Sequence, residues 1–526
     1  MGFIPPGKSI YPHNQAKSGK PAVGRFDPHN LTVIATLILY LLLATGSVFT
    51  RLPRVDEALF ASPAVNLVSQ GYMGTTVIET IGTRWQGLDR HTYWTVPLHF
   101  LAQAGWYELF GFSLYSMRAL SEVWGLVALA GLYLIARVLS ANRDAAALAT
   151  ALIAVDSSFI PIASSGRMDM MNAALGMSGL AAYLCLRQNH LRAAVLSAHS
   201  LVCASGLTHP NGILYLASLV SLMVYFDRRR LSLRDWTSAA LPYALGVSAW
   251  GLYIRQDPSL FFALFTANMQ NGTRLSYLKA PWAGLWTEVV DRYLAHFGLA
   301  RESNGLSRLK LLIPLAQAVG VAGLLSSRHM RSRPGCRAVL LVSAVHFGLL
   351  ALYDGQKLPY YLVHTVPLLD MVLAIWIASS WSSQSIRRPL LALLLTALFG
   401  VQILTSVQRI SHNPYRTSYL PAVAFLKKNA GDKELIMGSA ALDFEMGFNR
   451  NVLDDPRLGY YSGKTPQFIV VGDTDFGEYF RDFELQEPAV YTFIVSRLCN
   501  DYRPVYDHAG QKIYVRRSVV SPGLGR

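Results

Sequence analysis

The sequence is short of charge. Asp, Glu, Lys and Arg supply 15% of its 526 residues, where a soluble domain carries about a quarter. From Pro28 to Thr50 none of the four occurs, and that length suffices to cross a bilayer as a helix. Similar runs recur down to residue 408 or so, which excludes a soluble globular protein and predicts a polytopic α-helical membrane protein. The first run is too long and too late to be a signal peptide. Cysteine is scarce as well: Cys185, Cys203, Cys336 and Cys499 are the only ones, and none has CxxC spacing. A disulfide framework or a cysteine zinc site is thereby excluded, and the two in apolar runs read as small buried hydrophobes. No internal repeat is visible, which weighs against the inverted-repeat transporters. Acidic residues are fewer than basic ones, 32 against 47. The resulting +15 charge is topological information before it is a nucleic-acid footprint, because cytoplasmic loops collect Lys and Arg.

The basic clusters are Lys17/Lys20/Arg25, Arg137/Arg143, Arg187/Arg192, Arg228–Arg230 with Arg234, Arg328–Arg337 and Arg387/Arg388. Placing all of them in the cytoplasm predicts spans near 30–50, 119–139, 145–165, 170–186, 193–208, 211–227, 237–254, 311–327, 338–353, 359–380 and 389–407. That is about eleven helices, N-terminus inside and C-terminus outside. Residues 1–29 become a cytoplasmic tail and 30–407 the membrane domain, with outer loops at 51–117 and 255–309. The segment "VPLHFLAQAGWYELF" (96–110) is short, opens beside a proline and carries Glu108. Runs of that length lie along an interface more often than they cross, and a crossing here would invert every later loop. It is therefore read as an outer surface helix, as is the stretch at 57–70, which Gly71 ends.

After residue 408 the pattern changes. "SYLPAVAFLKKNAG" reads as an amphipathic helix, "ELIMG" and "QFIVVGD" as strands, and "VYDHAGQKIYV" as a hairpin about Ala509-Gly510. Residues 408–526 are expected to form a small extracytoplasmic α/β domain, with a scaffold role as the plainest reading.

This topology brings scattered polar groups to one side. Asp56 and Glu57 follow the first span; "SSGRMDMM" places Arg167 and Asp169 at the outer end of the third; "LTHPNG" puts His209 in an outer turn; and "DGQKLPYY" adds Lys357 and Tyr360. Each alone is equally a solvated loop residue. Together, acids and cations beneath amphipathic helices suit a substrate with a phosphate head and a hydrocarbon tail: cations neutralise phosphate, and a carboxylate takes a proton from an attacking hydroxyl. Asp156 and Asp370 lie within spans, where an acid needs pairing or hydration. They line the same cavity or pack helices.

The stretches "VDEALFASPAVNLVSQGY", "HTYWTVPLHFLAQAGWYELFGFSLYSMRALSEVWGLVALAGLYLIAR", "GRMDMMNAAL" and "KLPYYLVHTVPLLDMVLA", in that order, resemble landmarks of the GT-C membrane glycosyltransferases. The nearest likeness is to bacterial protein O-mannosyltransferases and lipid A aminoarabinose transferases, over residues 30–405. The resemblance implies a GT-C bundle with juxtamembrane helices in its first outer loop. It also implies an inverting transferase that moves a monosaccharide from a polyprenyl-phosphate donor to a hydroxyl of a protein, lipid or polysaccharide, at the outer face of the inner membrane. Carried over, the first-loop acid falls on Asp56, with Glu57 beside it; the second acid is Asp169 and the lysine Lys357. Asp56 is then the general base, and Lys357, with Arg167 or His209, stabilises the leaving phosphate. Glu57 and Asp169 orient sugar or acceptor, or hold a divalent cation, to which the reading does not commit.

Two absences qualify the likeness. The Glu-Lys-Pro-Pro stretch of aminoarabinose enzymes is replaced by Trp94, Thr95, Val96 and Pro97, so its donor lysine is missing, with Arg90 or His91 as substitutes. No Trp-Trp-Asp motif occurs, against en bloc transfer to asparagine. "NGT" at 271–273 matches the glycosylation sequon at near-chance information. A transporter or lipid flippase is the alternative from another class, and a structural subunit with a degenerate site is a third.

Overall fold

A computed structural model describes residues 27–270, 274–300, 305–383, 387–448 and 451–517. Most of the tail with Lys17, Lys20 and Arg25, and the "NGT" tripeptide, lie outside the described residues. The chain opens with α1 (Pro28–Thr50), which starts at a proline and is capped by Asp27, whose carboxylate takes the His29 N–H at 3.1 Å. After a short turn come α2 (Val55–Gln70) and α3 (Leu98–Phe110). The bundle continues as α4 (Leu114–Ser140), α5 (Arg143–Ala154), α6 (Phe159–Ala163), α7 (Asp169–Leu186), α8 (Leu191–Thr208), α9 (Gly212–Asp227) and α10 (Leu233–Ile254). Helices Leu312–Ser326, Pro334–Tyr353, Leu362–Ser383 and Arg388–His412 complete it.

These elements match the expected spans one for one, save one break. Seven helices of the described chain are long and apolar enough to cross a membrane by length and composition; α3, with 13 residues, is not among them, and neither are α5, α7, α9 and α10. The expected continuous span at 145–165 is interrupted between α5 and α6. Asp156 causes the break: its Oδ1 accepts the N–H groups of Ser158 at 2.7 Å and Phe159 at 3.0 Å, capping α6. The backbone groups freed there are met by the Arg388–His412 helix, whose Gln402 accepts from Ser157 N at 2.7 Å and whose Arg409 donates to Ser157 O at 3.1 Å. A broken helix inside a membrane protein persists only with such partners. Asp370 takes the Gln317 amide at 2.8 Å. Both intramembrane acids therefore pack helices.

Alternation of the helices gathers Arg137, Arg143, Arg187, Arg230 and Arg333 at one end of the bundle and the polar turns after α1, α6, α8 and Tyr353 at the other. At the basic end Asp227 takes Arg187 at 2.8 Å and Arg230 at 3.0 Å.

The C-terminal unit forms a five-stranded sheet in the order β2-β1-β3-β5-β4, with β1 Ile436–Met437, β2 Val452–Leu453, β3 Phe468–Gly472, β4 Tyr502–His508 and β5 Gln511–Arg516. β1 pairs in parallel with β2 and β3, and β5 runs antiparallel to β3 and β4. The hairpin turns at Ala509-Gly510 as expected, both at positive φ. The amphipathic helix lies at Leu420–Asn429. This unit does not stand apart from the bundle. Tyr415, Tyr419, Leu426 and Phe468 share one apolar core with Ala61 and Ala64 of α2, Tyr107 of α3 and Met117 of α4. The unit thus clamps the helix that begins at Val55.

Candidate active site

α2 begins where Glu57 reaches back to accept the Arg54 N–H at 3.0 Å, half of a capping box, and ends at Gly71, whose φ of 78° closes it left-handed. Glu57 makes three further contacts. Arg118 Nε donates to Oε1 at 2.8 Å, Arg118 Nη2 to Oε2 at 2.7 Å, and Gly166 N to Oε1 at 3.0 Å. A carboxylate offers about four acceptor positions, so none is left for a substrate. Burial pushes this carboxyl up, but Arg118, Arg51 and the Gly166 N–H outweigh it and hold it at about 2. Arg118 also donates to the carbonyls of Val48 at 2.9 Å and Arg51 at 3.0 Å. Glu57 thus fastens α1, α2, α4 and the turn at 164–168 together.

Asp56, one residue earlier, points elsewhere. Its side chain is 43% exposed, against 1% for Glu57 and 0% for Asp169. Arg167 Nη1 donates to Asp56 Oδ2, and Arg167 Nε donates to Asp169 Oδ2 at 2.8 Å. The guanidinium lies 4.0 Å from the ring centre of Tyr360 and 5.4 Å from that of Phe60, a cation–π seat. Arg54 donates to the Tyr360 hydroxyl at 2.7 Å. Arg167 therefore sits where an ion bridging Asp56 and Asp169 would have to be, and Glu57 is spent on Arg118. Of the two roles left open for Glu57 and Asp169, orienting sugar or acceptor and holding a divalent cation, the second does not fit these contacts.

His209 Nδ1 accepts the Asn211 N–H at 3.0 Å, leaving Nε2 to face the Tyr361 hydroxyl at 3.5 Å. Burial drives this imidazole down to about 4, against the pull of Asp169 and with the help of Arg167 and Arg274. It is neutral at pH 7. His364 lies behind, with Nδ1 2.9 Å from Tyr215 and Nε2 3.2 Å from Asn211.

Lys357 is the main departure from expectation. It occupies the turn before Pro359–Tyr361 but is buried, with Nζ donating to Glu288 Oε2 at 3.0 Å and Ala351 O at 2.8 Å. Arg292 bridges Glu288 at 2.7 Å and Asp354. Two cations and two carboxylates neutralise one another there. A second cation lies near these groups. Arg274 Nε is buried with no hydrogen-bond partner among the described residues, and its charge reaches His209, Tyr361 and Asp354. Neither proposed substitute for the missing lysine turns inward. Arg90 lies 4.0 Å from Asp257 with its side chain 64% exposed, and His91 stacks on Tyr93. Trp94 stacks on Phe60 at 5.6 Å with an indole N–H that has no partner among the described residues, and the Thr95 hydroxyl faces Met168.

Asp56, Arg167, Asp169, Tyr360 and His209 thus meet as expected, and Glu57 and Lys357 border them in structural pairs. Sequence reasoning missed Arg118, Arg274, Glu288 and Arg292. Arg118 had a signal, an arginine at the head of an apolar span. Arg274 had none. Apolar grooves lie against the bundle. One of about 380 Å³ runs between Leu98 of α3, Leu196, Cys203 and Leu207 of α8 and Leu241 and Leu245 of α10. Another of about 390 Å³ lies between α1, α5 and Phe399, away from the polar cluster.

The family model of dolichyl-phosphate-mannose-protein mannosyltransferases matches residues 90–214, a stretch with Arg167, Asp169 and His209 but not Asp56. No curated protein matches the sequence. Among solved structures, ArnT from Cupriavidus metallidurans bound to undecaprenyl phosphate is similar at a TM-score of 0.59 and 13% identity, over 93% of this chain and 98% of that one. The Archaeoglobus fulgidus oligosaccharyltransferase in its apo form matches at 0.59 and 11%, over 94% and 75%. AglB from the same organism, in complex with an inhibitory peptide and a dolichol-phosphate, matches at 0.55 and 12%, over 94% and 75%. The fold is therefore that of the GT-C glycosyltransferases, a multi-pass membrane bundle with a small C-terminal sheet region.

Proposed function

We propose that the chain is an inverting glycosyltransferase that moves a monosaccharide from a polyprenyl-phosphate donor to an acceptor hydroxyl. The reading places the reaction at the outer face of a bacterial inner membrane, with the N-terminus cytoplasmic and the C-terminal unit outside; the basic end of the bundle supports that orientation. The observation that carries the proposal is Asp56: a half-exposed carboxylate held by Arg167 in a polar cluster where a GT-C bundle meets its outer loops. Lipid-linked donors are supported by the undecaprenyl phosphate and dolichol-phosphate of the similar structures and by the mannosyltransferase family match.

In this mechanism Asp56 Oδ1, free of Arg167, takes the proton of the acceptor hydroxyl as the acceptor oxygen bonds to the anomeric carbon. The bond from that carbon to the phosphate oxygen breaks, and its electron pair leaves with the polyprenyl phosphate. Polyprenyl phosphate is already a good leaving group, so stabilising its charge matters more than protonating it. Arg274 and Arg54 are assigned that role, in place of Lys357. Arg167 fixes Asp56 against Asp169, neutral His209 and Tyr361 line the sugar pocket, and Glu57 holds the loop without reacting. The groove beginning at Leu98, next to His99, fits the donor tail. The transporter or flippase alternative has no observation in its favour.

The test is purified protein in liposomes given undecaprenyl-phosphate monosaccharides of several sugars, with free and transferred sugar measured by mass spectrometry. Cleavage of at least one donor, lost in Asp56→Asn, is expected. Intact donors throughout, or donor carried across the bilayer uncleaved, would overturn the proposal.

A further inference from the structure

Along one face of the C-terminal unit, aromatic rings and a guanidinium follow one another without a break. Tyr479 stacks on Phe483 at 6.4 Å, and Arg457 lies 5.0 Å from Phe483 and 5.8 Å from Tyr461. Tyr461 meets Tyr460 edge-on at 4.9 Å, and Tyr460 meets Phe493 at 5.2 Å. Three of these rings stay open to solvent: Tyr479 at 42%, Tyr461 at 46% and Tyr460 at 39%. Phe483, which joins Tyr479 to Arg457, is itself buried, so the open surface is Tyr479 on one side of Arg457 and the Tyr460–Tyr461 pair on the other; exposed aromatic surface on a folded unit marks an interaction site.

The row ends beside the candidate active site. The charges of Asp454, Asp56 and Asp475 act on the Tyr479 phenol, so Asp56 is among its electrostatic neighbours. The unit is also fixed to the first outer loop. Glu79 N donates to Asp454 O at 2.9 Å, Asp454 N donates to Val77 O at 3.0 Å, and Lys464 pairs with Glu79 at 2.6 Å. Gly82, at a φ of 73°, lies so close to Tyr461 that a Cβ there would be 2.5 Å from its side chain. Only glycine permits that contact.

We infer that this face is a carbohydrate-binding platform that guides a neutral saccharide acceptor to Asp56. The inference rests on the transferase reading and deepens it by naming the acceptor class. Its cations are already paired, Arg457 with Glu487 at 3.1 Å and Lys464 with Glu79, so an acidic peptide or a phosphate headgroup finds no free charge. A purely apolar chain would leave the phenol hydroxyls without partners. A pyranose satisfies both: its C–H face covers a ring, and its hydroxyls meet the phenols and the Arg457 edge.

The experiment uses the full-length protein in nanodiscs, with saturation-transfer NMR and titration calorimetry. The probes are neutral hexasaccharides of mannose, glucose and N-acetylglucosamine, and a neutral Ser/Thr-rich dodecapeptide. At least one hexasaccharide is expected to bind. The Tyr460→Ala/Tyr479→Ala double variant weakens it about tenfold, and Tyr460→Phe/Tyr479→Phe retains most of the affinity. No hexasaccharide bound, binding indifferent to the alanines, or the peptide bound in place of sugar would each overturn the platform. Because binding is read without catalysis, the two failures separate. Saccharide bound with no donor ever cleaved sinks the transferase reading, and donor cleaved with no saccharide bound sinks the platform.

Discussion

Glu57 and Arg118 are joined by hydrogen bonds of 2.7 and 2.8 Å, and neither side chain is more than 1% exposed. Breaking such a buried pair by removing one partner costs about 3–5 kcal/mol. Glu57→Gln is therefore expected to lower the thermal unfolding midpoint and the yield, and to lose activity in proportion to folded protein. The folded carboxyl at about 2 lies below its ordinary 4.5. Its stabilisation is thus complete above pH 4.5 and fades as the pH falls toward 2. An unchanged midpoint for Glu57→Gln at pH 7 would dismiss the anchor.

Asp56→Asn has the opposite signature. The amide keeps the shape of the side chain and removes the basic oxygen, so turnover should fall about 10²–10⁴-fold while the unfolding midpoint and donor binding stay near wild type. Sugar transfer in liposomes measures it. Near-normal turnover for the amide would strip Asp56 of the base role.

The contrast between these adjacent acids marks the limit of what the sequence reveals. Apolar length and residue period were enough for the order of the bundle helices, the two short helices α2 and α3 and the C-terminal sheet, because each is a local pattern of period or composition. The gathering of Asp56, Arg167, Asp169 and His209 was also legible, since helix alternation fixes which turns share an end. The division of labour was not. Asp56 and Glu57 have equal local signals, and only Arg118, distant in sequence, decides which is buried. Lys357 looked free because its neutralising partner Glu288 lies 69 residues away in sequence, at the head of a helical stretch, Glu288–Leu299, inside what read as an outer loop. The break at Asp156 was hidden because its compensating groups, Gln402 and Arg409, come from the last bundle helix.

Two cations near the site should separate cleanly. Lys357→Met removes a partner from the buried Glu288–Arg292–Asp354 group, so it is expected to lower stability while leaving the affinity of the remaining folded protein for polyprenyl phosphate intact. Arg274→Gln should leave stability alone and weaken polyprenyl-phosphate binding by about tenfold or more, the scale of one lost charge-assisted hydrogen bond. Calorimetric titration alongside thermal unfolding tells them apart. The reverse pattern would return the phosphate to Lys357.

Asp443 sits in the C-terminal unit with neither carboxylate oxygen hydrogen-bonded among the described residues. Burial, and then the charge of Asp454, pushes it up to about 9, and Asp454 itself stands at about 7. The sign follows from linkage. A carboxyl raised above its ordinary 3.8 stabilises the fold fully below that pH, and the contribution is lost as the pH rises through the folded value. Asp443 should therefore weaken the C-terminal unit progressively from pH 3.8 to about 9. Asp443→Asn, neutral at every pH, is expected to unfold at a higher temperature than wild type, by a margin that widens with pH across this range. Scanning calorimetry of both proteins at matched pH values reads that margin directly. A constant margin, or one that narrows as the pH rises, would show that Asp443 is already ionised in the folded protein and held by a partner.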